Sequence, residues 1–317
     1  MKKIILLLLL VNILFANDGL KSIYENIILK NSKNAIVAAK DLENNIKETR
    51  STKKAFQDLV VAWKKVEAFY ILGDLNDEYL DTPRYIDIFH QGNEDITKQL
   101  DLALSSKDEL KYALFKNSHK TINALEYILF DKNLTNERVS STALIIIDKI
   151  KSNLEEIHKG YKKEKENFLK DEVSANAMML NALIENSYKL KEWRVGDPAG
   201  LSRKFKDKPD NKRAEYSISK NSIVAIVAIL HLQQMLLARQ NYKNFGSMIN
   251  AYGVQEELKK ALKFIKLALM QSVEIKEDDF FEARALYKSL KRLHSIYYIA
   301  LISKLKIKAK ILDADGD

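Results

Sequence analysis

The sequence has no cysteine among its 317 residues. That excludes disulfides, thiolate metal sites and haem attached through a CxxCH pair, and it leaves no thiol for a bacterial lipid anchor on this sequence. Proline occurs three times and glycine nine times, too rarely to punctuate a β-rich chain of this length. Strand-like alternation is nearly absent. HExxH, GxSxG and phosphate-cradling glycine loops do not occur, which removes the common metalloprotease, hydrolase and nucleotide-binding signatures. There is no arginine-rich arm or nucleic-acid motif. The lysines are scattered through amphipathic stretches such as EELKKALKFIK, so the net charge of +9 reads as a solvated basic surface. No nucleic-acid partner is expected, and anionic lipid headgroups are the lesser alternative.

Long apolar runs are also missing, except at the start. MKKIILLLLLVNILFAND has two lysines, an apolar run to Phe15 and a small residue, Ala16. This layout predicts a signal peptide over 1–16, cleaved after Ala16. The run is short for a permanent membrane helix, and no later segment is apolar on all sides for about 20 residues. The expectation is an exported protein in the periplasm, with peripheral contact to the outer membrane as a further reading.

What is present is helical. Leu, Ile, Lys, Glu, Asn and Ala dominate, and apolar residues recur at helical spacing over 19–48, 51–73, 92–105, 107–131 and 135–170. The pattern resumes over 173–193, 214–240, 244–252, 254–273 and 278–308. Two long polar interruptions, 73–95 and 196–212, divide the pattern, one in each half. They predict an all-α fold of two helical bundles around a central cleft, an N-terminal bundle at 17–132 and a C-terminal bundle at 133–317. The pattern at 135–170 would link them. A duplication is conceivable from the layout, although no clean repeat is visible.

One stretch, KTINALEYILFD at 120–131, sets a carboxylate into an apolar run. On a single helix Leu114, Phe115, Ser118, Ile122, Leu125 and Leu129 fall within an arc of about 100°. Glu126 lies at the edge of that stripe, with His119 and Asn123 on the same flank. An unpaired carboxylate there would be costly, so Glu126 needs a partner. Arg84 offers a guanidinium fork able to hold Glu126 or an anionic ligand, a structural ion pair being the alternative. The reading is a charged Glu126 held by arginine, serine and backbone donors. Trp63 reads as core on an amphipathic helix rather than as a ligand contact. Glu215 and Ser217 precede an apolar helix beginning near Ser219, where capping is the plain account. His90 lies close to Asp87 in the first long loop and is the candidate histidine ligand from elsewhere in the chain. His119 reads as an ordinary partly buried residue, and His158, His231 and His294 as packed or hydrogen-bonded within helices.

Five stretches together resemble the imelysin family of exported bacterial proteins, sometimes classed as metallopeptidases. AWKKVEAFYILG at 62–73, with Trp63 and Glu67, is similar to its first tryptophan-bearing helix. PRYIDIF at 83–89 resembles its Arg-x-x-Asp-aromatic segment, and KRAEYSISKNSI at 212–223 its Glu-x-x-Ser stretch. DADGD at 313–317 is similar to its Asp-Gly-Asp terminus. The fifth is TINALE, similar to the family's Gly-x-His-x-x-Glu, with Thr121 for Gly, Asn123 for His and Glu126 kept. The resemblance runs from about residue 20 to the end.

It implies a ligand site between the two halves, formed from Glu126, Asn123, Arg84, Asp87, Glu215 and Ser217, with Glu126 and His90 as metal donors. It also implies an association with iron uptake. The expected cargo is iron or another divalent or trivalent metal, or a small iron-containing ligand, with other envelope iron-uptake proteins as partners. Asparagine has no titratable proton near neutral pH and binds zinc poorly. A binding protein is therefore expected ahead of an enzyme. The alternative is a metallopeptidase in which His90 or His119 replaces the missing imidazole.

Overall fold

The computed structural model describes residues 18–92 and 94–308. The stretch expected to be a signal peptide and the DADGD tail lie outside the described residues. Among these, every regular element is a helix and no strand occurs. The longer helices are α1 (Lys30–Lys47), α2 (Lys53–Glu67), α3 (Ile96–Ser105), α4 (Ile122–Asp131) and α5 (Glu137–Lys163). They continue as α6 (Glu172–Lys189), α7 (Ser222–Leu237), α8 (Gln255–Glu274) and α9 (Arg284–Ser295).

Helical spacing decides the packing. In α1 the buried residues Ala35, Ile36, Ala39, Leu42 and Ile46 form one stripe, and it meets α2 and α5. In α2 the residues Phe56, Leu59, Val60 and Trp63 are buried at i, i+3, i+4 and i+7. Helix α7 is apolar around its whole circumference and packs between α2 on one side and α8 on the other. Its start is capped from a distance, since the Asp278 carboxylate accepts from the backbone N–H groups of Ser222 and Ile223 at 2.6 and 3.1 Å. Helices α6, α8 and α9 complete the second group, and one continuous apolar core runs through both. Helix α5, which a boundary at 133 assigns to the second bundle, makes its main contacts with α1 and α4.

Two glycines sit where an added Cβ would be crowded. A Cβ on Gly160 in α5 would lie 2.7 Å from Leu72 Cδ2, and one on Gly246 would lie 2.2 Å from the Leu237 carbonyl oxygen.

Two helical patterns break where the sequence reading ran on. The pattern at 107–131 yields only short turns before Thr121, whose extended backbone (φ −112°, ψ 168°) and side-chain hydroxyl cap α4 at the Ala124 N–H. Residues before 121 are therefore off the wheel of α4, and Phe115, expected on its buried stripe, is 70% exposed. The pattern at 135–170 ends its long helix at Lys163 and resumes as a short helix, Lys165–Leu169.

Candidate functional site: a buried charge cluster between the two halves

Lys64 lies on the buried face of α2, four residues after Val60 and eight after Phe56, and none of it is exposed. Its ammonium donates to Glu67 Oε2 at 2.7 Å, Asp87 Oδ2 at 2.7 Å and Glu215 Oε1 at 2.6 Å. Glu67 comes from the next turn of α2, Asp87 from the first long loop and Glu215 from the loop that enters α7. Three distant pieces of sequence are thus drawn onto one cation.

Arg194 closes the cluster from the opposite side. Helix α6 widens at its end into a π turn, Leu190–Gly196, in which the Asp197 N–H reaches back to the Glu192 carbonyl at 2.8 Å. That turn buries the Arg194 side chain. Its Nε donates to Glu215 Oε2 at 2.7 Å, and its Nη2 donates to both Glu67 oxygens at 3.0 and 2.9 Å. The Trp63 indole and the Tyr216 hydroxyl each donate to Asp87 Oδ2 at 3.0 Å, and the Phe89 N–H donates to Oδ1 at 2.9 Å. All six oxygens of the three carboxylates therefore accept from the chain's own donors.

Two cations face three acids away from water, where pairing outweighs burial for most members. Burial opposes ionisation of Asp87, yet Lys64 and the surrounding donors hold it far below the usual carboxylate range. Burial likewise opposes the charge on Lys64 and Arg194, and the acids override it and raise both. Glu67 is lowered, against its burial, by Arg194 and Lys64. Glu215 is raised, because burial outweighs the same two cations.

The rim of the cluster is aromatic. The Phe89 ring centroid is 5.8 Å from the Arg194 guanidinium carbon and 4.9 Å from the His90 ring. The His90 imidazole stacks on Trp193 at 4.6 Å with the planes 2° apart, and its Nε2 lies 2.8 Å from Asp197 Oδ2. The side chains of His90 and Glu67 remain 24% and 22% exposed, so the cluster opens to solvent here. His90 and Tyr216 both hold left-handed backbone, with φ of 61° and 57°, a conformation that costs a bulky residue energy and persists where surrounding contacts impose it.

The stretch at 120–131 meets its partners beside the cluster. Asn123 Oδ1 accepts from the Ile88 N–H at 2.9 Å, and the Ile122 N–H donates to the Ile86 carbonyl at 2.7 Å. Together they pin the loop that carries Asp87 to the start of α4. Glu126 is buried, and its Oε1 accepts from the backbone N–H and the hydroxyl of Ser219 at 2.8 and 2.7 Å. Burial outweighs those donors and raises its pKa to about 7. Its donors are serine and backbone, without the arginine expected.

Arg84 does not reach Glu126. It lies on a 3-10 turn, Thr82–Tyr85, with its side chain 65% exposed and paired to Asp81 at 3.2 Å; the arginine of the site is Arg194. The serine on Glu126 is Ser219, two residues past Ser217. His119 is buried with Nε2 2.9 Å from Gln99 Oε1, and His158 and His294 lie 2.8 and 2.9 Å from the hydroxyls of Ser32 and Ser187. His231, expected to pack within its helix, is exposed. Trp63 is core, as expected, and donates to Asp87 as well. An open groove of about 520 Å³ between α1 and α2, lined by Asn34, Asp41 and Lys65 among others, shares no residue with the cluster.

Residues 26–294 match the model of the imelysin family, peptidase class M75. The chain belongs to the imelysin family. Among solved structures it is similar to an imelysin-like protein from Psychrobacter arcticum 273-4, with a TM-score of 0.75 and 14% identity over 93% of this chain and 97% of that one. It is also similar to the "putative iron-regulated protein A precursor" from Parabacteroides distasonis ATCC 8503, with a TM-score of 0.70 and 11% identity over 92% and 95% of the two chains. At such identities the likeness establishes an imelysin-like fold. No curated protein matches the chain.

A peptidase class raises the question of a metal. In this imelysin one group among the described residues has the donors for it: Glu67, Asp87 and Glu215 each offer an oxygen within 4.8 Å of the others. Carboxylates suit hard cations such as ferric iron or magnesium. Glu126, which accepts from Ser219, and His90, set against Trp193 and Asp197, are outside that group.

Proposed function

We propose that the chain is an exported binding protein of the bacterial envelope, associated with iron acquisition, which captures a small iron-containing ligand and does not hydrolyse peptides. The observation that carries this reading is the fate of the family's Gly-x-His-x-x-Glu pattern. Asn123 spends its carbonyl on the Ile88 N–H and Glu126 accepts from Ser219. A zinc peptidase needs several protein ligands around an activated water, and among the described residues neither His90 nor His119 joins Glu126 in a group of three or more metal donors.

The rings of His90, Trp193 and Phe89 line the side on which the cluster opens to water. Imidazole is an iron donor, and the Trp193 and Phe89 rings offer flat surface to the organic part of a chelate. Lys64, Arg194, Asp87 and Glu215 brace this rim from beneath, while Asn123 and Glu126 lock the loops that carry it. Arg84 and Ser217 have no part in this reading. Family membership and the N-terminal sequence support export and periplasmic residence. Among the described residues no helix is long and apolar enough to cross a membrane.

The test is titration of the mature chain with ferric citrate and with haemin, followed by absorbance, alongside a peptide-hydrolysis assay with added zinc. Saturable binding of one iron ligand, weakened about tenfold by His90→Ala, is expected without hydrolysis. Hydrolysis that Glu126→Gln abolishes would reverse the assignment.

A further inference from the structure

The three carboxylates able to hold a metal already surround a cation. Lys64 Nζ lies 2.7, 2.7 and 2.6 Å from one oxygen each of Glu67, Asp87 and Glu215. Metal–oxygen distances of about 2.0–2.6 Å would put an ion bound by the same oxygens on the place the ammonium occupies. The remaining oxygens offer no substitute, since Arg194 takes one from each glutamate and the Phe89 N–H takes the one from Asp87.

Lys64 also has nowhere to go. It is fully buried on the core face of α2, between Trp63, whose indole shares Asp87, and Tyr216, whose ring centroid is 5.2 Å from Nζ. Displacing the ammonium would leave it without three charge-assisted hydrogen bonds and without water.

We propose that Lys64 is the resident cation of this cluster. Its ammonium fills the position a metal ion would take among Glu67, Asp87 and Glu215, and the native chain binds no metal there. The cluster is a metal centre in donor set and spacing, with a covalently tethered ligand charge in place of the ion. Removing that charge opens the centre: Lys64→Met keeps the apolar stem but ends one atom short of the ammonium position, and it leaves three converging carboxylates with Arg194 as their one remaining cation. This inference does not rest on the iron-ligand reading, because that ligand is placed at the rim.

The experiment is equilibrium dialysis of the folded mature chain against Mn²⁺ and Zn²⁺, with wild type, Glu67→Gln, Lys64→Met and the double variant compared. Glu67 is the least buried of the three acids and the safest to neutralise. Wild type and Glu67→Gln are expected to bind the same amount of metal. Lys64→Met gains one equivalent, held at least about tenfold more tightly than any wild-type site, and the double variant weakens it. A wild-type equivalent lost on Glu67→Gln would overturn the proposal, as would a folded Lys64→Met that gains none. Should Lys64→Met fold only with Mn²⁺ present, that rescue supports the proposal. Should it fold under neither condition, the comparison of wild type with Glu67→Gln decides.

Discussion

Replacing Glu126 by glutamine should stabilise the protein at pH 8. Gln keeps the shape of the side chain, and its carbonyl can accept both Ser219 donors, so the chief change is the loss of charge. Burial raises the Glu126 carboxyl to about 7 from an ordinary 4.5, which corresponds to about 3 kcal/mol at most. The sign follows from which state holds the proton. Below about 4.5 the group is neutral folded and unfolded, and no penalty exists. Between 4.5 and 7 the folded chain keeps a proton the unfolded chain has lost, so stability falls as pH rises. Above 7 the buried carboxylate is charged and the full penalty applies. Urea unfolding of wild type and Glu126→Gln across pH 4–8 measures the difference directly. The variant should match wild type near pH 4 and exceed it by up to about 3 kcal/mol at pH 8. A difference that does not change with pH, or a variant less stable at pH 8, would refute the reasoning and point to a charged Glu126 stabilised by its surroundings.

Other perturbations separate the framework from the cluster. Lys64→Ala should cost about 3–5 kcal/mol, because it leaves three buried acids with Arg194 alone to neutralise them, and thermal unfolding will show it. Asn123→Ala should cost about 1–2 kcal/mol by orphaning the Ile88 N–H, and hydrogen exchange at Ile88 should speed up while Asn123→Asp keeps protection. Gly246→Ala should be among the most damaging single-methyl additions in the chain, since its Cβ would meet the Leu237 carbonyl; loss of soluble expression or a large drop in Tm is expected.

The helices and the all-α class were legible because burial repeats at helical spacing, as at Phe56, Val60 and Trp63 in α2. The break at Thr121 was not, because a threonine inside an apolar pattern caps a helix only when its own backbone is extended, and periodicity carries no record of that. Glu126 stood out as a carboxylate in an apolar run, Asp87 and Glu215 through motif resemblance, and the structure places the latter two on one cation and Glu126 on Ser219. Lys64 was missed although it continues the Phe56–Val60 register onto the core face; a lysine in that register is the signal that could have revealed it. Arg194 left less trace, since its burial depends on a π turn that shifts the helical register. Arg84 was expected in its place from position in a motif alone, and its turn faces solvent.

The central claim is that this imelysin carries iron in a small ligand and has no catalytic metal. Purifying the protein from its native envelope under iron-replete conditions, and measuring its metal content and absorption spectrum together, tests that claim most directly. Iron is predicted, with the absorption of an organic iron complex, and its amount should fall in His90→Ala and persist in Glu126→Gln. One equivalent of zinc that survives dialysis and disappears in Glu126→Gln would contradict the account.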